Sequence, residues 1–296
     1  MNTDKSKIYN TDCIEFMATM PDKSVDMILT DPPYLYLKHK LDKQFPEQKF
    51  FEECWRVLKD NSILAFFGRG KSFYRWNYIC EQIGFEFKEE IIWYKKRGSS
   101  PLLPLQRVHE TISILQKGNR NLNKIYTDKI EFDAQLNPQA IENDLKRLLG
   151  EISKIEGYDE WIEFKKGYFA ECRKSTGVTI GSILKNRNRA FETFNAHNRG
   201  KLLSTIIPEP REQYTAEHPT QKPVPLLEKL LLLCSDEGQT ILDPFMGGGS
   251  TGVACISTNR NFIGCEILPE YFTVAERRIQ KEKDKTGLFN CEYENG

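Results

Sequence analysis

Residues 240–251 run Thr240-Ile241-Leu242-Asp243-Pro244-Phe245-Met246-Gly247-Gly248-Gly249-Ser250-Thr251, an apolar run closed by an acid and a proline and followed by three glycines. Nothing else in the chain limits the fold as tightly. An apolar run this short reads as a buried strand, Thr240–Phe245, and the glycines allow a turn too sharp for residues carrying a Cβ. Behind the turn, Gly252–Thr258 reads as a helix and Asn261–Glu266 as a second strand, again ending in an acid. Strands joined through a helix lie parallel, linked by a right-handed crossover. The glycine loop therefore sits at the carboxyl end of a strand in an α/β sheet.

A strand, a glycine loop, a helix and a second strand tipped with an acid make up one half of a Rossmann-like cofactor site. The glycines let the backbone approach a ligand closely, and the helix N-terminus offers unpaired N–H groups. Glu266 lies 19 residues after Gly247, near the spacing at which an acid meets ribose hydroxyls. No lysine follows the glycines, so the loop is not a P-loop. A plain tight turn is the blander alternative, and Asp243, Phe245 and Glu266 weigh against it.

The same alternation fills the first part of the chain. Candidate strands are Lys7–Tyr9, Val25–Thr30, Ser62–Phe67, Phe85–Trp93 and Thr111–Leu115, with a helix over Phe50–Leu58. A Gly-, Ser- and Pro-rich loop, Gly98–Pro104, interrupts the pattern. Later, Pro225–Cys234 reads as a leucine-rich helix and Pro269–Lys285 as a final helix, with Pro269 suited to its first turn. One strand ends oddly: Thr30 is followed by Asp31-Pro32-Pro33-Tyr34. Proline cannot donate to a sheet ladder, and two in a row stiffen the turn. Taken alone, this is either a strand-ending turn with Asp31 as a cap and Tyr34 as edge packing, or a rigid holder of ligand-facing groups.

Between residues 119 and 199 the alternation stops. Ile141, Leu145, Leu148, Leu149, Ile152 and Ile155 share one helical face. Tyr168–Lys174 and Ile180–Lys185 read as two helices around a tight turn at Ser175–Thr179, a helical hairpin more than a helix-turn-helix. The segment reads as an inserted helical domain. Its charge is divided: residues 128–163 hold ten acids against four bases, and 165–201 hold nine Lys and Arg against two acids. A second basic cluster is Lys95-Lys96-Arg97, with Arg107. Such clusters are either solvated faces or a cationic surface for phosphates.

Over the whole chain, 42 basic and 42 acidic residues balance, which argues against a general polyanion binder. At 296 residues there is ample core for a large domain or two smaller ones. No apolar run approaches a membrane span, and Met1-Asn2-Thr3-Asp4-Lys5 does not begin a signal peptide. The eight cysteines form no CxxC pair, so no metal site is expected, and Cys255 and Cys265 read as reduced core residues. These features predict a cytoplasmic protein without a membrane partner.

DPPY early and DPFMGGGST late together resemble the β-class of amino-group DNA methyltransferases, in which the catalytic motif precedes an inserted target-recognition region and the cofactor motif closes the chain. The likeness extends further. Ile8–Cys13 resembles the family segment whose acid meets the adenine of S-adenosylmethionine (SAM), and Ser24–Thr30 resembles the strand leading to the catalytic motif. Ile91–Lys95 and Arg107–Thr111 match later segments, and His218–Pro223 resembles the one preceding the cofactor strand. Residues 119–199 carry no matching motif.

The resemblance implies a Rossmann-like SAM methyltransferase fold: an α/β, mostly parallel sheet with one antiparallel strand, Thr111–Leu115. Permutation should set Lys7–Tyr9 beside Asn261–Glu266. It implies a catalytic domain in two parts, residues 1–118 and 200–296, with 119–199 inserted as a target-recognition domain. Its catalytic residues would be Asp31, Pro32, Pro33 and Tyr34. SAM would be held by Asp12, Cys13, Asp31, Lys222, Asp243, Pro244, Phe245, Gly247, Gly249, Ser250, Thr251 and Glu266. Lys95, Lys96, Arg97, Lys174, Lys185, Arg187 and Arg189 would meet double-stranded DNA. A second copy of the chain and a cognate restriction endonuclease are further partners that the resemblance brings into view.

The chemistry suits these residues. The target amine is a poor nucleophile because its lone pair is delocalised into the base; Asp31 and the Pro32 carbonyl can accept its hydrogens and favour a geometry that frees the lone pair. The prolines hold both acceptors rigidly. A base inside a duplex must be flipped out, and Tyr34 offers a ring for it to stack on. No Pro-Cys dipeptide is present for cytosine-C5 chemistry. DPPY, rather than SPPY, resembles the adenine-N6 members more than the cytosine-N4 ones, which remain the alternative. A catalytically dead DNA-binding module would show damaged motifs. An RNA or protein methyltransferase fits Asp31 and the motif order poorly, and a nicotinamide dehydrogenase leaves DPPY unexplained.

Overall fold

The computed structural model describes residues 6–34, 44–96, 105, 107–126, 146, 202–211 and 221–292, with side chains to 286. The chain divides into two units, Met1–Asn123 with Ser204–Gly296, and Lys124–Leu203. In the second unit, a bridge pairs Tyr126 with Leu202, and the Leu203 N–H donates to the Ile125 carbonyl at 2.8 Å. The ends of this unit thus meet. The six apolar residues from Ile141 to Ile155 and the helical pair expected at 168–185 lie outside the described residues.

The first unit is built on one eight-stranded sheet, ordered β1-β8-β7-β2-β3-β5-β4-β6. The strands are β1 Ser6–Tyr9, β2 Val25–Thr30, β3 Leu58–Gly68, β4 Glu86–Tyr94, β5 His109–Lys117, β6 Ile206–Pro208, β7 Thr240–Asp243 and β8 Asn261–Cys265. β1 pairs parallel with β8, Tyr9 opposite Cys265, so the two chain ends share one sheet as the permuted order requires. Every other pairing is parallel except those of β5, which runs antiparallel to both β3 and β4.

The helices are α1 Cys13–Thr19, α2 Glu47–Val57, α3 Gly70–Ile83, α4 Val224–Cys234, α5 Ser250–Ser257 and α6 Pro269–Glu292. α1 to α3 follow strands that progress in one direction across the sheet; α4 and α5 join strands that progress in the other. Right-handed crossovers therefore place the two sets on opposite faces. One core joins Met17, Phe50, Phe51, Cys54, Trp76 and Cys80 of the first set to Ile28, Leu64 and Phe66 of the central strands. Met27, Ile28 and Leu29 of β2 are fully buried, as expected of a strand covered on both faces.

Several boundaries differ from those read in the sequence. Leu58 opens β3, because the chain passes from α2 straight into a strand. β7 stops at Asp243, since Pro244 cannot continue the ladder. α1, α3 and β6 escaped the sequence pattern. α1 has only seven residues, and α3 presents a narrow buried stripe, Ser72, Trp76 and Cys80, between exposed Tyr74 and Tyr78. β6 has three residues and, among the described residues, pairs only with β4.

Candidate active site at the carboxyl edge of the sheet

Strand order reverses between β7 and β2, which pair directly through Met27–Ile241 and Ile28–Leu242. In open α/β sheets the crevice outside the carboxyl ends at such a switch point is where ligands bind. The two motifs emerge here side by side, the glycine loop from β7 and Asp31-Pro32-Pro33-Tyr34 from β2.

The glycine loop is clamped by its own side chains. Asp243 accepts the Phe245 N–H at 3.1 Å and the Thr251 hydroxyl at 2.6 Å, which ties the end of β7 to the first turn of α5. Burial pushes the Asp243 carboxyl up to about 7, with the Thr251 bond pulling the other way. Arg278 of α6 donates to the Gly248 carbonyl at 2.5 Å and to the Ser250 hydroxyl at 3.1 Å. Gly249 has φ +75°, and a Cβ there would lie 2.8 Å from that of Ala275, so both the conformation and the close approach of α6 demand glycine. The Phe245 ring packs against Phe45 and Phe50 at centroid distances of 5.3 and 5.2 Å, an apolar wall beside the loop.

Farther along the edge, the acids following β8 and β1 lie on adjacent strands. The Glu266 N–H donates to the Tyr9 carbonyl at 3.1 Å, and Asn10 Nδ2 donates to the Glu266 carbonyl at 2.7 Å. The Glu266 carboxylate accepts the Leu268 N–H at 2.8 Å, and burial raises its pKa from the ordinary value. Asp12 caps α1 by accepting the N–H groups of Ile14 and Glu15 at 2.9 and 3.2 Å. Cys13 is buried beside it, its thiol pushed up by burial and by the Asp12 charge. Lys222 reaches the crevice from the turn ahead of α4. The carboxylates of Glu266 and Asp12, the glycine loop and the Phe245 wall form a set that fits a ligand carrying a ribose and a base, while the Lys222 ammonium is shared between Asp31 and Glu110.

Asp31 stands at the centre. The Tyr34 hydroxyl donates to its Oδ1, and the Lys222 ammonium donates to its Oδ2. Burial raises the Asp31 carboxyl from its ordinary value while Lys222 pulls it down. Burial alone would lower Lys222, but Asp31 and Glu110 hold it above its ordinary value, as a cation. Burial also raises the Tyr34 hydroxyl, which stays a donor.

Sequence reasoning missed what lies behind Lys222. β5 is reversed, so its amino end, with Glu110, falls on the carboxyl edge, and β4 brings Lys95 there as well. Glu110 Oε2 lies 3.3 Å from Lys222 Nζ, Lys95 donates to Oε1, and Arg211 reaches Oε1 at 3.5 Å. Despite burial, the neighbouring cations hold Glu110 down at about 2, and burial lowers Lys95 to about 8 against the pull of Glu110. The available signal was an acid heading an apolar strand, His109-Glu110-Thr111-Ile112. Lys95 was expected on a surface for DNA. It is instead 2% exposed and tied to Glu110, because its strand ends facing that carboxylate, so it neutralises an internal charge and not a phosphate. Lys96 is exposed. Arg97, Lys174, Lys185, Arg187 and Arg189 lie outside the described residues. Among the described residues no cluster of His, Cys, Asp and Glu could hold a metal ion, and no helix is long and apolar enough to cross a membrane.

The profile of the N6/N4 methyltransferases, described as DNA methylase, matches residues 25–277. The chain is 27% identical over 305 residues to the type II methyltransferase M2.DpnII of Streptococcus pneumoniae, covering 96% of this chain and 92% of the relative. It is 26% identical over 286 residues to the DNA adenine methyltransferase YhdJ of Escherichia coli K12, covering 92% and 82%. In fold it resembles the M1.HpyAVI–SAM complex, with TM-score 0.56 and 22% identity over 92% of this chain and 99% of that one. It also resembles the cytosine-N4-specific PvuII DNA methyltransferase, with TM-score 0.57 and 14% identity over 95% and 91%.

Proposed function

The chain belongs to the DNA methylase family of N6/N4 amino-methyltransferases, and from that premise we propose that it methylates the N6 amine of adenine in double-stranded DNA. One observation carries the proposal: Asp31 and the glycine loop leave neighbouring strands at the switch point of the sheet. The family draws its methyl group from SAM, whose sulfonium supplies an electrophilic methyl when bound.

The chain's own residues do the rest. The glycine loop, Phe245, Glu266 and Asp12 bind and orient the cofactor at the ends of β7, β8 and β1, with Cys13, Pro244, Ser250 and Thr251 shaping the floor. Asp243 acts through the loop it clamps. Asp31 accepts a hydrogen bond from the target amine and the Pro32 carbonyl accepts the other, so that the nitrogen lone pair leaves the plane of the base. Pro32 and Pro33 keep that pair of acceptors fixed. Tyr34 offers its ring to a flipped base, a contact worth about 1–3 kcal/mol.

Adenine is supported by Asp31 at the head of the motif and by the adenine-specific name of one relative. Cytosine N4 is the second reading, since a cytosine-N4-specific enzyme shares the fold. Residues 119–199 are assigned to target recognition, with Lys96, Arg97 and the cationic stretch 165–201 facing DNA. The type II names of the relatives support a modification role alongside a cognate endonuclease, in the cytoplasm where the DNA lies. Tritiated methyl transfer from SAM to DNA, RNA and protein tests the proposal: label should enter DNA alone, and should vanish with Asp31→Ala. Label in RNA or protein, or none at all, overturns it.

A further inference from the structure

Glu110 has no part in the chemistry assigned to Asp31, yet three cations, Lys95, Arg211 and Lys222, face it. It is 7% exposed, its Oε1 faces Lys95 and Arg211, and its Oε2 faces Lys222 at 3.3 Å. Among the described residues that Oε2 has an ion pair but no hydrogen bond, so it keeps accepting capacity on the side of Lys222.

Asp31 presents the opposite condition. Tyr34 occupies its Oδ1 and Lys222 its Oδ2, so the acceptor that a target amine requires is already satisfied from within. Resting on the methyl-transfer reading of this site, we propose that Glu110 is a positioning residue, held by Lys95, that takes the Lys222 ammonium off Asp31 when the target amine enters. Stripping a cation from a partly buried carboxylate such as Asp31 is costly unless another partner receives it. Glu110 is that partner, buried and within a short swing of the same ammonium. The Phe67 ring, 4.8 Å from Lys222 Nζ, lines the path with a face that attracts a cation. Tyr34, turning to stack on the base, would release Oδ1 in the same event. Asp31 then exchanges two internal donors for the amine, and the charge of the cluster does not change.

Three variants decide the matter. Glu110→Gln keeps the shape but takes away the second carboxylate, so Lys222 stays on Asp31; single-turnover methylation should fall about tenfold or more. Glu110→Asp keeps the charge and should restore the rate to within about threefold of the parent. A role in shape alone would favour Gln over the shorter Asp, and that order of rates overturns the proposal, as does a parental rate in Glu110→Gln. If the single variant does not fold, the Lys95→Met/Glu110→Gln double variant, which removes both members of the pair, should show the same loss, and a parental rate there likewise overturns it.

A readout without substrate separates this inference from the function it rests on. The charged groups that act on Asp31 are Lys222 and Glu110, with Tyr34 as its other hydrogen-bond partner; across the β2–β7 junction the Asp31 charge in turn raises Asp243. Carbon-13 titration of the Asp31 carboxyl in the ligand-free protein should show a lower pKa in Glu110→Gln, because a nearby negative charge is gone and Lys222 is no longer shared. An unchanged titration overturns the sharing of Lys222 whatever the enzyme methylates. A normal shift with no methylation in the parent would overturn the function instead.

Discussion

Asp31 is a partly buried carboxylate whose charge depends on its neighbours. Burial favours the protonated form, and Lys222 opposes it. Removing Lys222 should therefore raise the Asp31 pKa further, and methylation by Lys222→Met should fail at a higher pH than in the parent as pH drops. A profile of kcat/KM against pH measures this; an acid limb that stays in place or moves down contradicts it. Asp31→Ala should reduce methylation by about a hundredfold or more while calorimetric SAM affinity stays close to the parent. Phe245→Ala and Gly247→Asp should weaken SAM affinity directly. At this scale each of the two motifs reads as one piece in the sequence, because it is contiguous and its chemistry local. The Lys222–Glu110–Lys95 chain was not legible, because those residues are far apart in sequence and meet only through the reversal of β5.

Among the elements, the turn between β7 and α5 carries both constraint and cost. Asp243 has an ordinary pKa of 3.8 and is raised to about 7 in the fold. A raised acid contributes stability that is fully present below its unfolded pKa and lost as pH rises through its folded one. Thermal unfolding should thus show a downward contribution to stability between about pH 4 and pH 7 that Asp243→Asn lacks; parallel pH curves for the two proteins contradict it. Gly249→Ala should cost about 1–3 kcal/mol through a positive φ and the contact with Ala275. The strands of this region were readable because a covered strand is a plain apolar run, as in Val25–Thr30. α3 was harder: its exposed Tyr74 and Tyr78 mask the Ser72–Trp76–Cys80 stripe. β6 is too short to leave a periodic signal.

For the whole molecule, the permuted motif order foretold a sheet assembled from both chain ends, and β1 beside β8 is that prediction realised. The inserted segment had no such guide, since its sequence offers helical periodicity and charge but no motif. Phosphate neutralisation dominates DNA affinity. Replacing Lys185, Arg187 and Arg189 together by neutral residues should weaken DNA binding and flatten its salt dependence, with SAM binding unchanged; a parental salt series would remove the cationic stretch from the DNA interface. The central claim, adenine-N6 methylation of DNA by the Asp31 crevice, is met most directly by modified-base sequencing of DNA from a methylation-free host that expresses the chain. N6-methyladenine within one recurring sequence, absent from cells carrying Asp31→Ala, is the predicted result, and N4-methylcytosine in its place, or unmodified DNA, would contradict the account.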